Sequence, residues 1–99
     1  MSGTYVIDIE AAKADMNCIQ NAIPDLQAAR AALLKVKEEG EVTQGKTGRA
    51  IVEKSSQLIR RIDRLIRSLQ ETKQEIHITV KQNQELQEAI RSGIGSMMG

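Results

Sequence analysis

The sequence predicts an all-α protein: a two-helix antiparallel hairpin, helix 1 kinked near Pro24 and helix 2 longer, that completes a helical bundle with another chain. Three observations carry this. Two long segments repeat their apolar residues at helical spacing. A short stretch with three glycines, Gly40, Gly45 and Gly48, separates them. The chain also has one Tyr, no Trp and no Phe, so its apolar load rests on Ile, Leu, Val and Ala, and 99 residues make one domain at most.

Residues 1–8 read as an extended lead-in, because Tyr5, Ile7 and Ile9 alternate with Val6 and Asp8. Asp8 offers a side-chain oxygen to the first free amides of a helix, so helix 1 is expected over 9–39. Its stripe runs Ile9, Ala12, Met16, Ile19, Ile23 and Leu26, and its continuation is read through Ala29, Leu33 and Val36. Two successive steps of three at Ile23, Leu26 and Ala29 amount to a stammer, and Pro24 stands there. Because Pro removes a donor and disfavours helical angles at Ile23, a kink or break is expected. Gly40 is expected to end the helix as a left-handed C-cap.

Residues 40–48 then form the turn, and Thr47 is expected to cap helix 2. Helix 2 is expected over 49–91. With Ile51 as a d position, the a and d sites are Ile51, Ser55, Leu58, Ile62, Leu65, Leu69, Thr72, Ile76, Thr79, Asn83, Leu86 and Ile90, with no break in phase. Val52, Ile59, Ile66 and Val80 fall at e, which widens the stripe beyond a two-stranded seam. Such a helix needs more than one neighbour. At 1.5 Å per residue helix 2 is about 67 Å long and helix 1 about 45 Å, so an overhang from roughly Thr79 onward is left for another chain. The expected partner-binding residues are Ile51, Leu58, Ile62, Leu65, Leu69, Ile76, Val80, Asn83, Leu86 and Ile90. Residues 92–99, with glycines and two methionines, read as a flexible tail.

Charge and cysteine usage narrow the function classes. The formal net charge is +1, which gives no general reason to expect nucleic acid or an acidic membrane. The distribution is uneven: residues 1–45 carry four basic and seven acidic side chains, and residues 46–67 carry seven basic and two acidic. Arg60, Arg61, Arg64 and Arg67 make a basic face opposite the stripe. With no aromatic interleaving, and with Asp63 spaced to pair with Arg60 and Arg67, a solvated face or an acidic protein surface is favoured over nucleic acid. Cys18 is the single cysteine, so no internal disulfide forms, and a small apolar packing role is expected for it. The start lacks the basic and apolar regions of a cleaved signal peptide, and no apolar run is long enough for a membrane span.

One motif points elsewhere. Gly40, Gly45, Lys46 and Thr47 spell GxxxxGKT, the pattern of a phosphate-binding loop. That chemistry needs a strand feeding the loop so that its amides converge on phosphates, with Lys46 neutralising charge and Thr47 holding magnesium. The residues before it, Ala31 to Glu39, are strong helix formers, so the glycines are read as a turn and no cofactor is expected. His77 is the only histidine; no metal site or general base assembles around it, and no catalytic residue is assigned. Ser55 and Asn83 at seam positions are read as polar groups that fix register.

The opening VIDIEAAKADMNCIQNAIPDLQAA, the mid-chain TGRAIVEKSSQLIRRIDRLIRSL and the hairpin with a Gly-containing turn resemble the WXG-type, ESAT-like small helical proteins of type VII secretion. The chain is most similar to the small helical partner proteins of LXG toxins. The turn carries no Trp, and no aromatic residue is followed four positions later by an acid. These departures fit a protein exported, if at all, inside a complex whose other chain carries the signal. The resemblance implies a cytoplasmic adaptor or targeting factor that binds the helical N-terminal domain of a secreted toxin. The alternative is a homodimer or higher homo-oligomer with a structural coiled-coil role; nucleotide binding at GxxxxGKT ranks below both.

Overall fold

The computed structural model describes residues 8–98, and their side chains as far as Gly93. It is a helical hairpin: α1 spans Ile9–Val42 and α2 spans Gly45–Met98, and Thr43 and Gln44 alone connect them. The expected lead-in over 1–7 lies outside the described residues. With a radius of gyration of 22.6 Å, against about 13 Å for a compact chain of this length, the molecule is a rod. Its longest extent, 81 Å, is that of a straight helix of 54 residues at about 1.5 Å per residue.

α1 starts as its sequence dictates. The Asp8 carboxylate accepts from the Ala11 amide at 3.0 Å, and the Asp8 carbonyl accepts the first helical bond, from Ala12, at 2.9 Å. The helix stays unbroken through Pro24, which stands on the exposed side, where water can take over the carbonyl that has lost its donor.

The half-buried and buried residues of α1 are Ile9, Ala12, Met16, Ile19, Ile23, Leu26, Arg30, Leu33, Lys37 and Gly40, with Ala22 beside them. They alternate steps of three and four without interruption, so the expected stammer is absent. Ala29 and Val36 are exposed, and Arg30 and Lys37 hold the seam. Their aliphatic stems cover apolar neighbours while the charged heads reach water, which is why an apolar-only search of the sequence drifts off the stripe.

On α2 the covered column is Gly48, Val52, Ser55, Ile59, Ile62, Ile66, Leu69, Lys73, Ile76, Val80 and Asn83. It too keeps heptad phase, but it joins the expected a column to the e column, leaving the d column of Ile51, Leu58, Leu65 and Leu86 at the edge. Ile59 and Val80, 7% and 5% exposed, are its best-buried apolar residues. The Ser55 hydroxyl is buried and donates to the Ile51 carbonyl at 2.6 Å, with the Val52 carbonyl at 3.2 Å. Satisfied by its own helix, it asks nothing of a partner and keeps the seam narrow.

The turn is two residues rather than the expected nine, and each glycine has a separate reason. Gly40 is helical, not a left-handed cap: it is where the helices approach most closely, since a Cβ there would stand 2.6 Å from the Ile51 Cγ2 atom. α1 ends at Thr43, whose amide donates to the Gly40 carbonyl at 3.2 Å and whose hydroxyl donates to the Glu39 carbonyl at 2.7 Å. Gly45 takes the positive φ, 81°, that reverses the chain. Gly48 packs on Thr43, whose carbonyl oxygen would lie 1.9 Å from an added Cβ. Thr47 falls within the first turn of α2 and so does not cap it.

Candidate interaction surface

Three points set the register between the helices. Gly40 packs against Ile51 and Val52, Arg30 bonds to Asp63, and Ile9 shares a shallow surface depression with Gln84, Gln87, Glu88 and Arg91. Each step down α1 is thus matched by a step up α2, and the start of α1 lies level with Asn83 and Gln84. The two-residue turn lets all 34 residues of α1 lie against α2, so the overhang begins after Asn83, not near Thr79. It comprises residues 84–98 of α2, roughly 22 Å of helix, and its last part, 92–98, is helix where a flexible tail was expected.

The hairpin divides the expected partner-binding residues into two groups. Ile62, Leu69, Ile76, Val80 and Asn83 lie in the column that α1 covers. Leu65, Leu86 and Ile90 are exposed, whereas Ile51, which packs on Gly40, and Leu58 are half-buried at the edge of that column. Residues one position before the seam residues of each helix fall on the same side of an antiparallel pair, so Ile51, Leu58 and Leu65 share one face with Val36, Ala29 and Ala22. On that face Val36 is 43% and Leu65 46% exposed; on the overhang Leu86 is 56% and Ile90 51% exposed. Sequence reasoning placed Ala29 and Val36 in the seam stripe of helix 1 and passed over Ala22, although the seven-residue spacing of the three was there to be read.

The opposite face carries an ion pair beside Leu34, which is exposed. There the Arg30 Nε donates to Asp63 Oδ1 at 2.6 Å and an Nη donates to Oδ2 at 3.3 Å, a two-point contact across the seam. The hydrogen bond from Arg30 holds the Asp63 carboxyl below the usual carboxylate range; desolvation opposes it, and the charges of Arg30 and then Arg67 add lesser help. The same bond raises the Arg30 pKa. Asp63 therefore answers α1, not Arg60 or Arg67 as expected, and Arg60, Arg61, Arg64 and Arg67 are all exposed on the outside of α2.

Cys18 is exposed rather than packed, and His77 is exposed. Asn83 is half-buried and accepts from the Gln87 amide at 2.9 Å. Among the described residues no group of three or more His, Cys, Asp or Glu is placed to hold a metal ion, and no helix is long and apolar enough to cross a membrane.

The GxxxxGKT stretch has lost the geometry its letters suggest. It is fed by a helix, and the space beside Gly48 holds the Thr43 carbonyl oxygen, an acceptor that would repel phosphate. The depression at the turn is lined by Glu41 and Glu53 as well as Arg49, and neither Lys46 nor Thr47 lines it. Among the described residues, the hairpin offers exposed apolar side chains at Val36 and Leu65 along one face and a helix end that extends past α1.

No family model, curated protein or solved structure matches this chain. Its surfaces are therefore read on their own chemistry.

Proposed function

We propose that the protein is a helical adaptor, binding rather than catalytic, whose α2 overhang packs with helices of another chain. One observation supports this above the others: beyond Asn83, α2 continues with Leu86 and Ile90 half exposed and no α1 residue left to cover them. An isolated helical segment of this length is marginal in water, and an amphipathic helix gains most of its stability from packing. Following the resemblance drawn from the sequence, the partner is the helical N-terminal domain of a secreted toxin of the LXG kind. The adaptor meets it in the cytoplasm and brings it to type VII secretion, leaving the cell, if at all, in that complex.

The test mixes the purified chain with the helical domain of a toxin encoded beside its gene. A stable complex with added helicity and a raised melting temperature is expected, and Leu86→Glu with Ile90→Glu abolishes it. Absence of any complex at micromolar concentrations, or a complex indifferent to both substitutions, overturns the proposal.

A further inference from the structure

Arg60, Arg61, Arg64 and Arg67 crowd into little more than two turns of α2, and all four are exposed. At about 3.5 residues per turn they lie within roughly 50° of the direction pointing straight away from α1, so the cluster fans outward from the back of the hairpin. Little in the chain neutralises it. Asp63, the one acid inside the stretch, turns toward the seam, where Arg30 occupies both of its oxygens. The part of α1 level with 60–67 is 26–33, and its only charged residue is that same Arg30. Among the described residues none of the four makes a hydrogen bond or ion pair; Arg67 supplies only the last and least of the attractions on Asp63. Arg64 instead stands three or four residues from Arg60, Arg61 and Arg67, spacings at which like charges meet and weaken a helix. The hairpin carries a repulsion that no contact within it uses.

The extent of the cluster selects what it can bind. Arg60 to Arg67 covers about 10 Å of helix, and acids close it at both ends: Glu53 before it, and Glu71 and Glu75 after it, which share a shallow depression with Arg67. A rod lying along a membrane or a long nucleic-acid strand would press those acids, and then Glu85 and Glu88, against the same negative surface. A short anion meets the arginines alone. No Trp or Phe exists to stack on bases, whereas a planar guanidinium takes a carboxylate by two parallel hydrogen bonds. Acids at i, i+4 and i+7 on a helix repeat the spacing of Arg60, Arg64 and Arg67 over the same length.

We infer that this outward face docks an acidic helical segment of a protein partner, one carboxylate opposite each of Arg60, Arg64 and Arg67, with Arg61 at the edge. The face lies about 25 Å along α2 from the overhang and shares no residue with it, so the inference stands or falls apart from the proposed function.

The probe is a blocked, alanine-based helical peptide of about 16 residues with Glu at i, i+4 and i+7, titrated at low salt into the isotope-labelled full chain. Saturable shifts of the arginine side-chain Nε–H signals are expected, fading as salt shortens the screening length. A peptide with the same three Glu spread around its helix binds several-fold more weakly. Replacing Arg60, Arg64 and Arg67 together by Glu removes the response to the first peptide and creates one to its Lys counterpart. In the chain alone, Arg64→Gln raises the melting temperature by roughly 4 °C, because it relieves three like-charge contacts. Absence of shifts, equal binding of the two Glu peptides, or failure of the charge swap overturns the inference. So does tighter binding of a single-stranded RNA oligonucleotide or of phosphatidylglycerol vesicles, which would give the face to a phosphate surface, and so does an Arg64→Gln chain that melts lower, which would give the arginines to the fold.

Discussion

Replacing Gly48 by Ala tests the turn. In an ordinary helix interior the change would stabilise by about 0.8–1.0 kcal/mol through propensity. Here the added Cβ meets the Thr43 carbonyl oxygen at 1.9 Å, the Thr43 carbonyl carbon at 2.7 Å and the Gly40 carbonyl oxygen at 2.8 Å. All three are backbone atoms of the connection itself, so no side-chain rotation relieves them, and the turn must open or α2 must shift. Overpacking of this kind costs typically about 1–3 kcal/mol and occasionally more. With rigid backbone on all three contacts the upper end applies, and a net loss of about 2 kcal/mol remains after the propensity gain. For a domain of this size that lowers the melting temperature by roughly 8–16 °C, read by circular dichroism at about 222 nm. A Gly48→Ala chain melting at or above its parent would refute the packing argument.

Four further outcomes follow from the same contacts. Gly45→Ala, at a φ of 81° with nothing within 4 Å, costs about 1–2 kcal/mol from backbone strain alone, checked by the same melts. Gly40→Ala meets the Ile51 Cγ2 at 2.6 Å, the Ile51 Cβ at 2.9 Å and the Val52 Cγ2 at 3.1 Å; the Ile51 Cβ cannot turn away, so the helices must part, and after the gain of about 1 kcal/mol in propensity a net loss of about 1 kcal/mol is expected by chemical denaturation. Ile59→Ala in the seam costs about 2–3 kcal/mol in urea titration, whereas Leu65→Ala, at a residue 46% exposed, costs well under half as much. Because the folded-state pKa of Asp63 is lowered, its contribution is fully present above the unfolded carboxylate pKa and is lost as pH falls through the folded value. Asp63→Asn should flatten that acid limb of the stability curve, and an unchanged limb would argue against the Arg30 contact.

The hairpin was legible because periodicity, an N-cap at Asp8 and glycines between two helical segments all point one way. The seam was legible only in part. Ile62, Leu69, Ile76 and Val80 were read as facing another chain and instead face α1, and the column facing α1 was not singled out, because Ile51, Leu58 and Leu65 are as apolar as Val52, Ile59 and Ile66. Hydropathy does not say which of two adjacent apolar columns meets the neighbour. That is decided by where close approach is allowed, at Gly40, Gly48 and Ser55. Arg30 and Lys37 hid the phase of α1 because a charged head disguises an apolar stem. The turn shrank from nine residues to two because Gly40 and Gly48 serve helix packing rather than chain reversal. The same ambiguity made the exposed strip hard to see: a helix with two apolar columns shows its second face only once the first is occupied.

The most direct measurement of the account is amide hydrogen exchange along α2, in the isolated chain and in the complex with the helical toxin domain. In the isolated chain, protection is expected to hold through Asn83, level with the start of α1, and to drop over Gln84 to Ser92; the partner is expected to restore it there while leaving 45–83 unchanged. Uniform protection through Ser92 without a partner, or a drop before Thr79, would contradict the register and with it the claim that α2 is held out for another chain.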